Sequence, residues 1–129
     1  MRDRATVLCI KDGQFLAVQE HGQNHFSLPG GGIKKGEQSI VAAIRELKEE
    51  TGLGAASITY LTSFQGRRGL HKVFMVTPVE GIAHRQHSEI SRICWFNLDA
   101  EINPETFQGH VIRVIKELRL KGKEVMSNG

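Results

Sequence analysis

The feature that most constrains this chain is a glycine-rich loop running directly into an amphipathic helix with an acidic face. Residues 21–36 are polar, with Pro29 and the run Gly30-Gly31-Gly32, a composition for loop backbone that can adopt positive φ and approach a ligand closely. From about Ser39 to Thr51 the spacing becomes helical. Ile40, Ile44 and Leu47 fall at i, i+4 and i+7 with Ala43 beside them, forming an apolar stripe. Gly52 is placed to end the helix in a left-handed conformation, with Leu53 supplying the apolar contact behind it. Glu46, Glu49 and Glu50 share one face, expected to point away from Ile44 and Leu47. Like charges so spaced repel by roughly a few tenths of a kcal/mol per pair. They also lie near the helix C-terminus, where the backbone dipole disfavours anions.

An acidic helix face is ordinarily just solvated. Here its placement works against local stability, and a cation on the face would explain it. Hard divalent ions take carboxylate oxygens together with water and phosphate oxygens, so the pattern suits Mg²⁺ bridging the helix to a phosphorylated ligand. Arg45, four residues before Glu49, can lie along that carboxylate and orient it. Glu37, at the loop-to-helix junction, suits either a helix-terminal acid or a metal role.

The remaining chain reads as strands and a second helix. Residues 4–11 and 14–20 are strand-like runs joined by Asp12-Gly13, a two-residue hairpin signal. Residues 57–65 and 70–79 are rich in β-branched and aromatic residues and meet through the turn 66–69; residues 91–97 give one more strand. Helical spacing returns from about Pro104 to Leu120, with Pro104 at a first-turn position and a frayed tail after about 121. Mixed strands with two helices imply an α/β sandwich around a mixed sheet, in one domain over 1–129.

Composition narrows the function classes. Hydrophobic content of 40% with 24% charged residues is that of an ordinary globular protein. No apolar run approaches the roughly 20 residues that span a bilayer, and no secretory signal opens the chain, so a cytoplasmic protein is expected. Cys9 and Cys94 then read as reduced thiols in buried strands. The net charge of +3 suits an anionic small molecule but lacks the dense basic stripe of a nucleic-acid binder.

The spacing Gly31-x5-Glu37-x7-Arg45-Glu46-Leu47-x-Glu49-Glu50-x-Gly52-Leu53 resembles the Nudix box at every fixed position. Leu28-Pro29-Gly30 before the box, the leading hairpin, the Trp95-Phe96 strand and the C-terminal helix extend the likeness to roughly residues 4–120. The resemblance implies a Nudix-type (MutT-like) α/β/α sandwich around a mixed β-sheet. It also implies hydrolysis of a nucleoside diphosphate linked to a further group, by water attack on phosphorus with Mg²⁺ or Mn²⁺. Carried over by position, Glu46, Glu49 and Glu50 match the metal-binding glutamates and Arg45 the arginine that orients a catalytic glutamate. Glu37 matches the first glutamate of the box, and Gly31 the glycine that shapes the metal site. The family places its general base variously, which leaves Glu50, Glu49 and Glu89, the last in a loop where many relatives supply an acid. A homodimer is common among such proteins.

For the substrate, Phe26 is a candidate to stack on a base, with a core position as the ordinary alternative. Arg67 and Arg68 are candidates to meet phosphates, though turn arginines are commonly solvated. The proline and tyrosine that mark family members acting on ADP-ribose or dinucleoside polyphosphates are absent: the positions read Arg68, and Gly69, Leu70 and His71. The expected substrate is therefore a small-molecule nucleotide, first of all a nucleoside triphosphate, one with a damaged or non-standard base included. The alternatives are a non-catalytic sensor of a nucleotide metabolite, and trimming of RNA ends, which would call for a broad basic groove.

Overall fold

The computed structural model describes residues 2–67, 69–85 and 88–128. The chain order is β1 (Arg4–Lys11), β2 (Gln14–Glu20), β3 (Gly30–Gly32), α1 (Ser39–Thr51), β4 (Ala55–Gln65), β5 (Leu70–Pro78), β6 (Ile90–Asn97) and α2 (Gly109–Asn128). Asp12 and Gly13 both have positive φ, 53° and 75°, and close the expected hairpin.

The sheet runs β4-β5-β1-β2-β6, with β3 paired to β1. β1 is parallel to β5 and antiparallel to both β2 and β3. The β1–β2 ladder holds only near the turn, at Ile10–Phe15 and Lys11–Gln14. Beyond it the strands part, and Gly30–Gly32 lies against Arg4–Thr6. That parting delivers the glycine loop to the middle of the sheet.

Strand alternation sorts the core onto two faces. Ala5, Val7, Cys9 and Leu16 pack with Ala42, Ala43, Leu47 and Leu53 against α1. Leu8, Phe15, Ala17 and Val73 pack with Val111, Val114 and Ile115 of α2. The result is the α/β/α sandwich that the sequence called for. Among the described residues no helix is long and apolar enough to cross a membrane.

Two expectations are corrected. α2 starts at Gly109, not near Pro104, and continues past Leu120. The backbone just before it is committed elsewhere. Asn103 Oδ1 accepts the N–H groups of Glu105 and Thr106, and Phe26 exchanges hydrogen bonds with Thr106 and Gln108. In α1 the buried stripe is Ala42, Ala43, Leu47, Glu50 and Thr51, whereas Ile44 is 38% exposed. The helix is thus rotated from the expected setting, and Glu50 lies on the buried side with Leu47 instead of facing away from it.

Gly30 shows how close the loop comes. Its φ is +153°, and a Cβ there would stand 2.3 Å from the Ala5 carbonyl oxygen. Gly36 has φ +80° but open space around it. We expect Gly30→Ala to cost about 3 kcal/mol or more and Gly36→Ala about 1 kcal/mol. For a domain of this size that is a melting-temperature drop of roughly 10 °C against 3 °C by calorimetry. Equal drops would contradict the close packing of β3 on β1.

Candidate active site

The acids of α1 are organised by one guanidinium. Arg45 Nε and Nη2 grip both oxygens of Glu37 at 2.8 and 2.9 Å. Nη1 donates to Glu46 Oε1 at 2.7 Å and to Glu49 Oε2 at 3.4 Å, and Nη2 also reaches the Gly32 carbonyl at 3.1 Å. The fork therefore ties the loop to the helix and offsets the repulsion among the carboxylates. Arg45 and a backbone bond from Lys34 hold the Glu37 carboxyl down at about 2. Glu37 Oε1 also accepts the Lys34 N–H at 3.0 Å, so Glu37 closes the loop turn instead of capping α1, whose N-cap Gln38 makes no side-chain bond. It stands outside the acidic pocket. The contact to Glu49, the one expected from spacing, is the longest that Arg45 makes to a carboxylate.

Glu46, Glu49 and Glu50 line a pocket with Gly30, Gly31, Arg4, Glu20 and Glu89. Glu50 is only 6% exposed, and its Oε1 accepts the Gly30 N–H at 2.7 Å. Burial pushes its pKa up to about 8; the Gly30 bond and Arg4 oppose the rise, while Glu46 and Glu20 add to it. A Cβ on Gly31 would stand 2.6 Å from the Glu46 carboxyl, so glycine keeps that oxygen site open. Among the described residues, no three carboxylate, imidazole or thiol groups are already gathered as a closed cage. An open, all-oxygen, strongly acidic lining is nonetheless the donor set that fits a hard divalent ion, which retains water and takes further oxygens from phosphate. Glu46, Glu49 and Glu50 are the residues that could hold it.

Beside this pocket lies a cavity of about 1070 Å³ lined by Arg2, Arg4, Arg67, Arg113, Phe64, His71 and His110, among others. Arg4 lines both. Of the substrate candidates, Arg67 is exposed on the cavity lining, and Arg68 lies outside the described residues. Phe26 is corrected to a core position: it is 7% exposed, with its ring edge-on to Phe96 at 5.1 Å and Arg92 over it at 5.4 Å, so no face is left for a base. Glu20, Arg4, Arg113 and His110 escaped the reading from sequence. Glu20 and Arg4 sit at strand ends with no motif around them, and Arg113 and His110 look like ordinary helix residues until the fold turns them to the cavity.

Residues 1–118 match the family model described as NUDIX domain. Among curated proteins, the chain is 31% identical over 102 residues to an RNA pyrophosphohydrolase of Escherichia fergusonii, covering 78% of this chain and 58% of that one. It is 44% identical over 57 residues to an RNA pyrophosphohydrolase of Edwardsiella ictaluri, covering 44% of this chain and 32% of that one. The chain thus spans about one third to three fifths of the length of these relatives. Among solved structures, a MutT NUDIX hydrolase from Burkholderia pseudomallei shares the fold with a TM-score of 0.79 at 20% identity, covering 90% of this chain and 96% of that one.

The raised pKa of Glu50 has a definite stability signature. Ionisation is disfavoured in the folded state, so folding stability falls as pH rises from about 4.5 through about 8. Glu50→Gln keeps an acceptor for Gly30 and removes the charge. Without divalent cations, we expect this variant to melt above the parent at pH 9, by an amount on the order of a few kcal/mol, and to match it below pH 4.5. Melting curves in a chelator across this range check it, and a constant offset at all pH values would refute it.

Proposed function

The chain belongs to the NUDIX family, and from that premise we propose that it is a divalent-metal-dependent hydrolase of nucleoside-diphosphate-type bonds, acting first of all as a nucleoside triphosphate pyrophosphohydrolase. The observation that carries this reading is the shared wall at Arg4. A single ligand can set a phosphoanhydride against Glu46, Glu49 and Glu50 while its nucleoside enters the arginine-lined cavity.

A bound Mg²⁺ or Mn²⁺ would neutralise phosphate charge and lower the pKa of a water. The protein's part is positional. Arg45 fixes the Glu46 carboxylate and the loop carbonyl of Gly32, so the acidic lining is held in place before substrate arrives. Gly31 keeps the approach to Glu46 open. Arg4 lines the same pocket as the acids, and its guanidinium could pair with phosphate oxygens there. The proton of the attacking water goes to Glu49, Glu50 or Glu89, all on the pocket lining.

A second reading has its own support. Arginines that look scattered in the sequence converge on one cavity, with Arg2, Arg67 and Arg113 exposed around it, and the curated relatives above carry the name RNA pyrophosphohydrolase. A 5′-triphosphorylated RNA end could use the same phosphate site with its chain running over these arginines.

The deciding assay offers Mg²⁺ with a panel of nucleoside triphosphates, nucleotide sugars and a 5′-triphosphorylated RNA oligonucleotide, and follows release of phosphate and pyrophosphate. We expect pyrophosphate from triphosphates, and Glu50→Gln to lower the rate by several orders of magnitude without loss of fold. Binding without turnover across the panel would instead favour a sensor. Near-parental rates in Glu50→Gln would remove the metal role from that residue.

A further inference from the structure

The cavity beside the acidic pocket contains an imidazole in a fixed tautomer. The backbone N–H of Leu28 points at His110 Nε2, 3.2 Å away. A backbone amide only donates, so Nε2 must carry its lone pair and the proton of the neutral ring sits on Nδ1. An imidazolium would oppose two donors. Burial, with Arg4 and His71 nearby, likewise pushes the His110 pKa down to about 3, so the ring stays neutral at working pH. Nδ1 has no hydrogen-bond partner among the described residues, and it is not sealed from solvent as His71 Nδ1 is. His110, a lining residue of the cavity, therefore carries one ring N–H fixed as a donor.

The rings around His110 form a packed cluster that holds its imidazole in place. His71 stacks on Phe64 with ring centroids 4.7 Å apart and planes 13° from parallel, and the Arg113 guanidinium covers Phe64 at 4.6 Å. The His71 and His110 rings are 5.9 Å apart. Leu28 links this end to the phosphate end, since its N–H holds His110 while its carbonyl accepts from Arg4 at 3.4 Å. One peptide segment thus sets the distance between the imidazole donor and the guanidinium shared with the acidic pocket.

We infer that His110 is a specificity-determining residue, donating from Nδ1 to an oxygen acceptor on the nucleobase and so selecting oxo-bases over amino-bases. The inference rests on the nucleotide reading proposed above. Guanine and uracil place a carbonyl where adenine and cytosine place an amine. A carbonyl satisfies the His110 donor, whereas an amine sets N–H against N–H in a partly desolvated site, the arrangement that discriminates most strongly. A phosphate would gain little from a neutral imidazole when arginines line the same cavity.

The test compares kcat/KM for GTP with ATP and for UTP with CTP, together with metal-free binding of GMP and AMP followed by NMR. His110→Gln retains an acceptor for the Leu28 N–H while losing the Nδ1 donor; His110→Asn returns an amide near the Nδ1 position. We expect the parent to prefer the oxo-base about tenfold or more, mainly through KM. The preference should fall to about twofold in His110→Gln and recover in part in His110→Asn, with the GMP-over-AMP binding preference moving in parallel. Should His110→Gln fail to fold, the Asn variant and the shift of the His110 Nδ1–H signal on adding GMP to the parent carry the test. Vigorous hydrolysis indifferent to the base, or a preference unchanged in both variants, overturns the assignment of His110 while leaving the hydrolase reading intact. Absence of hydrolysis with a GMP preference that falls in His110→Gln overturns the hydrolase reading and supports the role of His110.

Discussion

The grip of Arg45 on Glu37 is the contact on which the rest of the site depends. A planar guanidinium reaching Glu37, Glu46, Glu49 and the Gly32 carbonyl at once fixes the loop to the helix, a task that the point charge of a lysine could not perform. Without it Glu46 and Glu49 would repel across one turn, and the loop carrying Gly31 would lose its tether to α1. The acids of the pocket are thus held in place by one side chain, the kind of preorganisation on which electrostatic sites rely.

Glu50 is the counterweight. It is the carboxylate turned inward, and its burial costs stability whenever it is charged. A packing-driven sequence would place an apolar residue beside Leu47. The acid's one backbone partner, the Gly30 N–H, belongs to the same glycine run that β1 accepts as a strand neighbour. Local stability has been given up where this carboxylate is turned inward, while Ala42 and Ala43, two turns earlier, pack α1 onto the sheet.

The fold was largely legible because its signals are local. Asp12-Gly13 needs only its own two residues to specify a hairpin, and the Ser39–Thr51 helix carries both its periodicity and its Gly52 stop. Errors arose where a distant partner decides. Pro104 looks like a helix start until Phe26 claims the backbone of Thr106 and Gln108, and Ile44 looks buried until the glycine strand sets the rotation of α1. The acids of the site were legible for the same local reason, being one helix turn apart. Phe26 was misplaced because a lone aromatic beside a loop reads equally as core or as platform; the ring of Phe96, seventy positions on in the chain, decides it.

This contrast explains why the two halves of the site differ in what sequence can say. The acidic pocket is written mostly within one contiguous loop and helix, so its residue spacing is largely its geometry. The arginine-lined cavity is assembled from β1, the β4–β5 turn and the start of α2, elements that meet only in the folded sheet. His110 acquires its fixed tautomer from Leu28, more than eighty residues earlier, and no pattern around His110 itself encodes that. Leu28 sits two residues before Gly30, so the segment that places the amide for His110 is continuous with the segment that places the amide for Glu50. Through that short stretch of backbone, with its bend at Pro29, the His110 side of the cavity and the Glu50 side of the acidic pocket are joined.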